Sequence, residues 1–167
     1  ADFVKNGYDI KHLCRVILSS AAYQRSWKTT PANVNDDRYF SHYLARRLPA
    51  EVVLNAVSRV TQLPTPFSGF PKGTRALQLP DTSVDSYFLD AFGRPQRATT
   101  CDCERDAQPN LRQALHVING DTLNQKLAAE EGWIHGALKE NLSNKAITET
   151  LYLSAYSRYP TDTELGE

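Results

Sequence analysis

Between Leu63 and Pro80 the chain reads "LPTPFSGFPKGTRALQLP", with prolines at 64, 66, 71 and 80 and glycines at 69 and 73. No helix passes through that spacing, because each interior proline removes a backbone donor and clashes with the preceding turn. A central strand is excluded for the same lost donor. The stretch must therefore be a long irregular crossing. Crossings of this length persist in compact domains when they are functional or packed by their own side chains. Phe67, Phe70, Leu77 and Leu79 offer that packing, so an ordered loop is expected here.

On either side the apolar residues fall at helical spacing. Ile10, Leu13, Cys14, Ile17 and Leu18 follow i, i+3, i+4, i+7, i+8, with Asp9 placed to cap the free first-turn amides. Cys14 lies in that stripe and is expected to pack as a small buried hydrophobe. Residues 24–37 are polar and aperiodic. Residues 38–63 predict a short helix and then a longer one opened by Pro49, with Val53, Ala56, Val57 and Val60 on one face. "DTSVDSYFLDAFGRP" predicts a helix capped by Thr82 with Asp85, carrying Val84, Tyr87, Phe88, Ala91 and Phe92, and ended by Gly93 and Pro95.

Further on, Pro109 predicts a helix start with Leu111, Ala114, Leu115 and Ile118 inward and Gly120 at its end. Asp121 is read as the cap of the next helix (Leu123, Leu127), which Gly132 breaks. Trp133, Ile134, Ala137 and Leu138 form another short face. Ser143 caps a helix through Ile147, Leu151 and Ala155, and Thr161 with Glu164 forms a last capping box. The fold class is mainly α: an irregular multi-helix domain over residues 1–167 with a long ordered Pro/Gly-rich loop. Its opening and closing segments read as the middle of a longer protein.

At 167 residues the chain can bury a core without a metal or disulfide. Lysines and arginines number 19 and so do aspartates and glutamates, which argues against wholesale phosphate neutralisation and hence against nucleic acid as partner. No apolar run reaches the roughly 20 residues that span a bilayer. The four histidines stand singly on different predicted helices, and no nucleophile-elbow, zincin, Walker or dinucleotide fingerprint occurs. No catalytic residue is assigned, and whether the chain is an enzyme stays open.

The residues with most chemical interest are in "ATTCDCERDAQPN", residues 98–110. In extended backbone Cys101 and Cys103 point the same way, so both sulfurs can reach one partner. They can form half a tetrahedral metal site, close a tight disulfide or redox pair, or pack as separate thiols. The metal reading lacks two further ligands, since no second cysteine pair exists and His116 sits on a following helix. No metal is assigned, and a haem-attachment motif is absent, so no cofactor is expected in this chain. Arg75, Arg94, Arg97 and Arg105 stand against Asp81, Asp85, Asp90, Asp102, Glu104 and Asp106. They read either as an anion or sugar site, with Asp81, Arg75, Glu104 and Arg105 as substrate-binding candidates, or as ion pairs that fasten the loop. Glu104 with Arg105 is the expected buried pair.

The strings "YDIKHLCRVILSSAAYQRS", "DDRYFSHYLARRLPAEVVLNAVSRVTQ", "GTRALQLPDTSVDSYFLDAFGRPQRATTCDCERD" and "LRQALHVINGDTLNQKLA", with "LYLSAYSRYPTDTEL", resemble the planctomycete-type cytochrome-c-associated C-terminal domain of unknown function. The characteristic positions of that family fall on Arg46, Arg47, Leu48 and Pro49, on Gln78, Leu79, Pro80 and Asp81, and on Cys101, Cys103, Glu104 and Arg105. The resemblance implies a fragment of a large exported protein, periplasmic or extracellular, with haem c on a separate domain. It implies partners among other domains of the same polypeptide or a co-encoded exported protein, and a link to polysaccharide-related substrates. The function so implied is an accessory binding or catalytic module. The alternative is a structural, protein-interaction domain with no chemistry of its own.

Overall fold

A computed structural model describes residues 1–96, 98, 105, 108 and 110–166. Arg97, Cys101, Asp102, Cys103, Glu104, Asp106 and Pro109 lie outside the described residues, and with them the cysteine-pair question and the Glu104–Arg105 pairing. Among the described residues the secondary structure is helical, with no strand. The chain divides into two compact units, Ala1–Arg47 and Leu48–Glu167.

In the first unit α1 (Asp2–Lys5) meets α2 (Ile10–Leu18), and Asp9 caps α2 by accepting from the amides of Lys11 (2.8 Å) and His12 (3.1 Å). His12 Nε2 and Asp2 Oδ2, 3.0 Å apart, tie the two helices. The apolar stripe of α2 does not form a core. Ile10 is 68% exposed, and Cys14, expected as a buried thiol, is exposed and free. Its only helical neighbour in the unit is the four-residue α1, which offers too little surface to cover nine residues.

The short helix expected after residue 37 is absent. Asp36 takes that segment's donors instead, its Oδ1 accepting from the amides of Arg38 (3.0 Å) and Tyr39 (2.7 Å) and its Oδ2 from that of Ser41 (2.9 Å). Asx turns of this kind compete directly with helix formation. Phe40 in the left-handed region (φ 54°) completes the break. The Ser41 side chain and the amides of Tyr39, Ser41 and Arg38 hold Asp36 well below the usual carboxylate range.

The second unit is built on α3 (Ala50–Val60) and α4 (Tyr87–Ala91), with the Pro/Gly-rich stretch between them serving as a wall of the core. Ala50 and Leu54 from α3 meet Phe67, Ala76 and Leu79 from the crossing, and Val84, Phe88 and Leu89 around α4. Leu54 and Leu89 are fully buried, each stabilising the fold by about 1.5–3 kcal/mol through transfer from water. Phe67, Phe70 and Leu79 pack as expected, whereas Leu77 turns outward on the 3-10 turn Ala76–Gln78. Asn55 holds that turn to α3 by accepting from the amide of Ala76 at 2.9 Å. The buried face of α3 runs through Ala50, Glu51 and Leu54, and Ala56 is exposed.

Helix α4 begins later than the sequence suggests. Ser86, not Thr82, is its cap, its Oγ accepting from the amide of Leu89. Thr82 Oγ1 donates to the carbonyl of Gln96, and Val84 is buried ahead of the helix. Gly93 (φ 81°) ends the helix as expected. Arg94 then turns back into the protein, Nε and Nη2 donating to Asp90 Oδ1 (3.1 and 2.7 Å) and Nη1 to the carbonyl of Val84 (2.9 Å). This arginine fastens the segment that precedes α4 to the end of that helix.

The remaining helices are α5 (Leu111–Asn119), α6 (Asp121–Ala128), α7 (Trp133–Lys139), α8 (Asn144–Tyr156) and α9 (Asp162–Gly166). Asn110 caps α5, and Ser143 caps α8. Gly120 separates α5 from α6 and stands at the N-cap of α6, so Asp121 occupies its first turn rather than its cap. Lys126 Nζ donates to the carbonyl of Leu63, and burial pushes this ammonium below its usual range. The amide of Trp133 donates to the carbonyl of Thr61 at 3.3 Å, so both contacts anchor α6 and α7 at the end of α3.

Helix α5 carries the largest inversion. Leu111 (73% exposed), Leu115 (52%) and Ile118 (67%) face outward, as does Ala114, whereas Gln113 and His116 are buried at 7% each. The apolar stripe was expected inside. Polar side chains are buried without penalty where they find partners. His116 has both a hydroxyl and an aromatic wall, described below.

At the chain's end the expected capping box is present. The Thr161 amide donates to Glu164 Oε2 (2.8 Å), and the Glu164 amide to Thr161 Oγ1 (3.4 Å). Arg158 donates to both Glu164 oxygens at 2.8 Å. The Arg158 guanidinium, with the amide and hydroxyl of Thr161, lowers Glu164 from 4.5 to about 2. A carboxyl depressed on folding stabilises above its unfolded pKa and loses that contribution as pH falls through its folded value. The α9 clamp is expected to hold at pH 5 and to release between about 4.5 and 2. A carboxyl carbon-13 titration of Glu164 with amide exchange at residues 161–165 checks this. A Glu164 midpoint near 4.5 would remove the clamp.

Candidate functional site

The second unit contains a cleft of about 730 Å³ between α4, α5 and the first turn of α6. Tyr87 supplies one wall, and Leu111, Arg112, Leu115, His116 and Asn119 supply the α5 side. Gly120, Asp121 and Thr122 close the end. The helix caps explain why these residues converge. Ser86 starts α4 so that Tyr87 is its first residue, Asn110 starts α5, and α6 begins directly after Gly120.

Tyr87 and Arg112 form a unit. The guanidinium carbon lies 4.5 Å over the phenol ring, and Nε donates to Tyr87 Oη at 3.1 Å. Stacking plus hydrogen bond gives a flat platform with N–H donors at its edge. Behind it stands His116, whose Nε2 shares a 3.1 Å hydrogen bond with Thr122 Oγ1. Its ring packs edge-on against Phe88 and Phe92, at centroid distances of 5.5 and 6.1 Å, and tilts against Tyr87 at 5.2 Å. Phe88 and Phe92 are themselves stacked at 4.2 Å. The imidazole thus joins the core to the cleft floor.

Gly120 is required for this arrangement by close approach, not by its backbone angles (φ −75°, ψ 148°). A Cβ built there would meet His116 Nδ1 at 2.5 Å and Cε1 at 2.7 Å, and would run into the His116 carbonyl oxygen. The arrangement offers donors from Arg112, a mixed amide from Asn119, a carboxylate from Asp121 and a hydroxyl from Thr122, beside two leucines. That set can bind a ligand with apolar faces and several hydroxyls.

Of the residues singled out from the sequence, Arg75, Asp81 and Arg105 do not line this cleft. Arg75 closes the 3-10 turn, its amide donating to Gln78 Oε1 at 2.9 Å and its Nε to the same oxygen at 3.4 Å. Asp81 shapes its own turn by accepting from the amide (2.9 Å) and hydroxyl (2.5 Å) of Ser83. Arg105 donates from Nη1 to Glu51 Oε2 at 2.9 Å, and the Glu51 side chain is only 6% exposed. That partner stands 54 positions away, in the first turn of α3. Glu104, Cys101 and Cys103 lie outside the described residues. Sequence reasoning missed Tyr87, Arg112, Asn119 and Thr122 as a group. The available signal was "NGDT" between two helical periods, where a sharp junction places polar side chains together.

Among the described residues no group of three or more His, Cys, Asp or Glu side chains is placed to hold a metal ion, and no helix is long and apolar enough to cross a membrane. A polar concavity of about 430 Å³ in the first unit, around Asn35, Asp36 and Asp37, has the Asp36 carboxylate already taken up by its own loop. No curated protein and no solved structure matches the chain. One family does, over residues 1–167: PSD1, described as a protein of unknown function (DUF1553). The helical chain, with its ordered Pro/Gly-rich crossing and its cleft on α4, α5 and α6, belongs to that family.

Proposed function

We propose that the chain is a carbohydrate-binding accessory module of an exported, cytochrome-linked protein, and that the Tyr87–Arg112–Asn119–Thr122 cleft is its binding site. The observation that carries this is the cleft itself: a guanidinium–phenol platform and two leucines facing an amide, a carboxylate and a hydroxyl. A pyranose presents apolar C–H faces and a belt of hydroxyls that both donate and accept. The platform and leucines suit the first, and Asn119, Asp121 and Thr122 suit the second. The exported setting and haem c on a separate domain follow the family resemblance. In this reading Arg105 and Glu51 fasten the segment after the cysteines to α3 and do not contact ligand.

Saturation-transfer NMR with a panel of neutral and acidic oligosaccharides tests the proposal. Tyr87→Ala is expected to weaken the best ligand about tenfold, the loss of one stacking contact. Arg75→Ala should leave binding unchanged. Binding that survives Tyr87→Ala, or that disappears with Arg75→Ala, would return the site to the loop.

A further inference from the structure

Arg112 enters the cleft with part of its hydrogen-bonding capacity committed and part unused. Its guanidinium carbon lies 4.5 Å over the Tyr87 ring, and its Nε donates to Tyr87 Oη at 3.1 Å. Contact at both the ring face and the phenol oxygen fixes the guanidinium in place. What remains is the Nη1–Nη2 edge, whose N–H groups have no acceptor among the described residues. That edge is a planar fork, with paired N–H groups spaced for the two oxygens of a carboxylate. Other arginines are spent on the fold: Arg94 donates to Asp90 and Val84, and Arg158 donates to both oxygens of Glu164. Arg112 is held by a neutral partner and keeps its charge uncompensated.

The cleft is also polar along its length. Among the described lining residues Arg112 is the one permanent cation and Asp121 the one carboxylate. Arg112 is the second residue of α5, whereas Asp121 opens α6 beyond the last turn of α5. At about 1.5 Å of rise per residue, roughly 10 Å separate the levels of Arg112 and Asn119, and Asp121 follows Asn119. One end is therefore cationic and the other anionic. The volume, about 730 Å³, falls within the range of small-ligand sites, which two linked sugar rings also match.

We infer that the ligand of this cleft is an acidic oligosaccharide, bound with a uronate carboxylate on the Arg112 fork and a neutral ring toward Asp121. The inference rests on the carbohydrate reading of the cleft and adds the charge of the ligand and its direction. A sugar hydroxyl can accept from one N–H of the fork, whereas a carboxylate accepts from both and brings the opposite charge. Because Tyr87 already orders the guanidinium, little rotamer freedom is left to lose on binding. At the far end Asp121 accepts from hydroxyls and repels a second carboxylate, so it sets the direction by exclusion.

Titration calorimetry of the whole chain tests this with a disaccharide of one uronate and one neutral hexose, against its carboxyl-reduced counterpart. The acidic form should bind about tenfold more tightly, by a margin that shrinks as salt rises. Arg112→Gln should abolish the margin. Arg112→Lys should restore only part of it, since it keeps the charge and loses the fork. Tyr87→Phe keeps the ring and removes the Oη that holds Nε, so the margin should fall about threefold while the neutral disaccharide binds as before. A disaccharide acidic on both rings should bind more weakly than the singly acidic one and gain from Asp121→Asn. Equal affinity for the acidic and reduced forms, with Tyr87→Ala still weakening both, overturns the acid preference and keeps the cleft as a neutral-sugar site. A margin that survives Arg112→Gln overturns the fork. A sulfate ester of the neutral disaccharide binding more tightly than the uronate overturns the carboxylate. Failure of every saccharide to bind the parent chain overturns the inference together with the carbohydrate reading.

Discussion

Gly120→Ala is expected to destabilise the second unit by about 2–3 kcal/mol, lowering its melting temperature by roughly 5–10 °C. On backbone grounds alone the change would stabilise slightly, by about 0.4–1 kcal/mol, because φ −75° and ψ 148° suit any L residue. Packing reverses the sign. The new methyl would sit 2.5 Å from His116 Nδ1, where carbon and nitrogen need more than 3 Å. The ring cannot retreat, because Phe88 and Phe92 stand behind it and Thr122 holds Nε2. Moving it would also cost the Thr122 hydrogen bond, about 0.5–1.5 kcal/mol. Gly136→Ala is the control. A Cβ there meets nothing within 4 Å inside α7, so helix propensity should raise stability by about 0.5–1 kcal/mol. Trp133 reports this unit if Trp27 is replaced by Phe, and a shifted urea midpoint at constant slope is the readout. Equal stabilities for the two alanine variants would mean that His116 does not pack on Gly120.

Arg105→Met is expected to cost about 3 kcal/mol, the lower end for breaking a buried ion pair from one side. Glu51 lies within the protein with its side chain 6% exposed, and loss of the guanidinium leaves a desolvated charge among apolar neighbours. Arg105 itself is 23% exposed, so water can reach the vacated place and moderates the loss. The double variant Glu51→Leu with Arg105→Met should recover most of the deficit, since a well-packed apolar pair often matches a buried ionic one. The same urea titration checks it. A single variant within 0.5 kcal/mol of the parent would show that Arg105 is not the residue that fastens its segment.

These two positions differ in how legible they were. Gly120 was readable as a helix end, because glycine after an apolar period is a local stop signal. That the histidine ring four residues earlier would close on it was not, since the contact depends on Phe88 and Phe92 from another helix. Arg105 was recognised as a charge in need of a partner, and the neighbouring Glu104 was chosen by proximity. The Glu51 partner, 54 positions away, carries no signal in the sequence, and the Glu104 pairing lies outside the described residues. Cys14 repeats the point. Its helical phase was right and its burial wrong, because the period states which residues share a face and not whether anything covers that face.

What the sequence determined by itself is local. Asp9, Ser143 and the Thr161–Glu164 box cap the helices they were expected to cap, and Gly93 ends α4. Each of these signals acts over two to four residues, where bond geometry leaves few alternatives. The four prolines of the crossing excluded regular structure for the same reason. Tertiary structure decided everything that required two distant segments to meet. It chose which face of α5 is buried, brought Glu51 to Arg105, and set where the cleft opens. Burial and ion pairing are settled by competition among all surfaces of the folded chain. An apolar stripe goes inward only when no polar pair, such as His116 with Thr122, fills the place better.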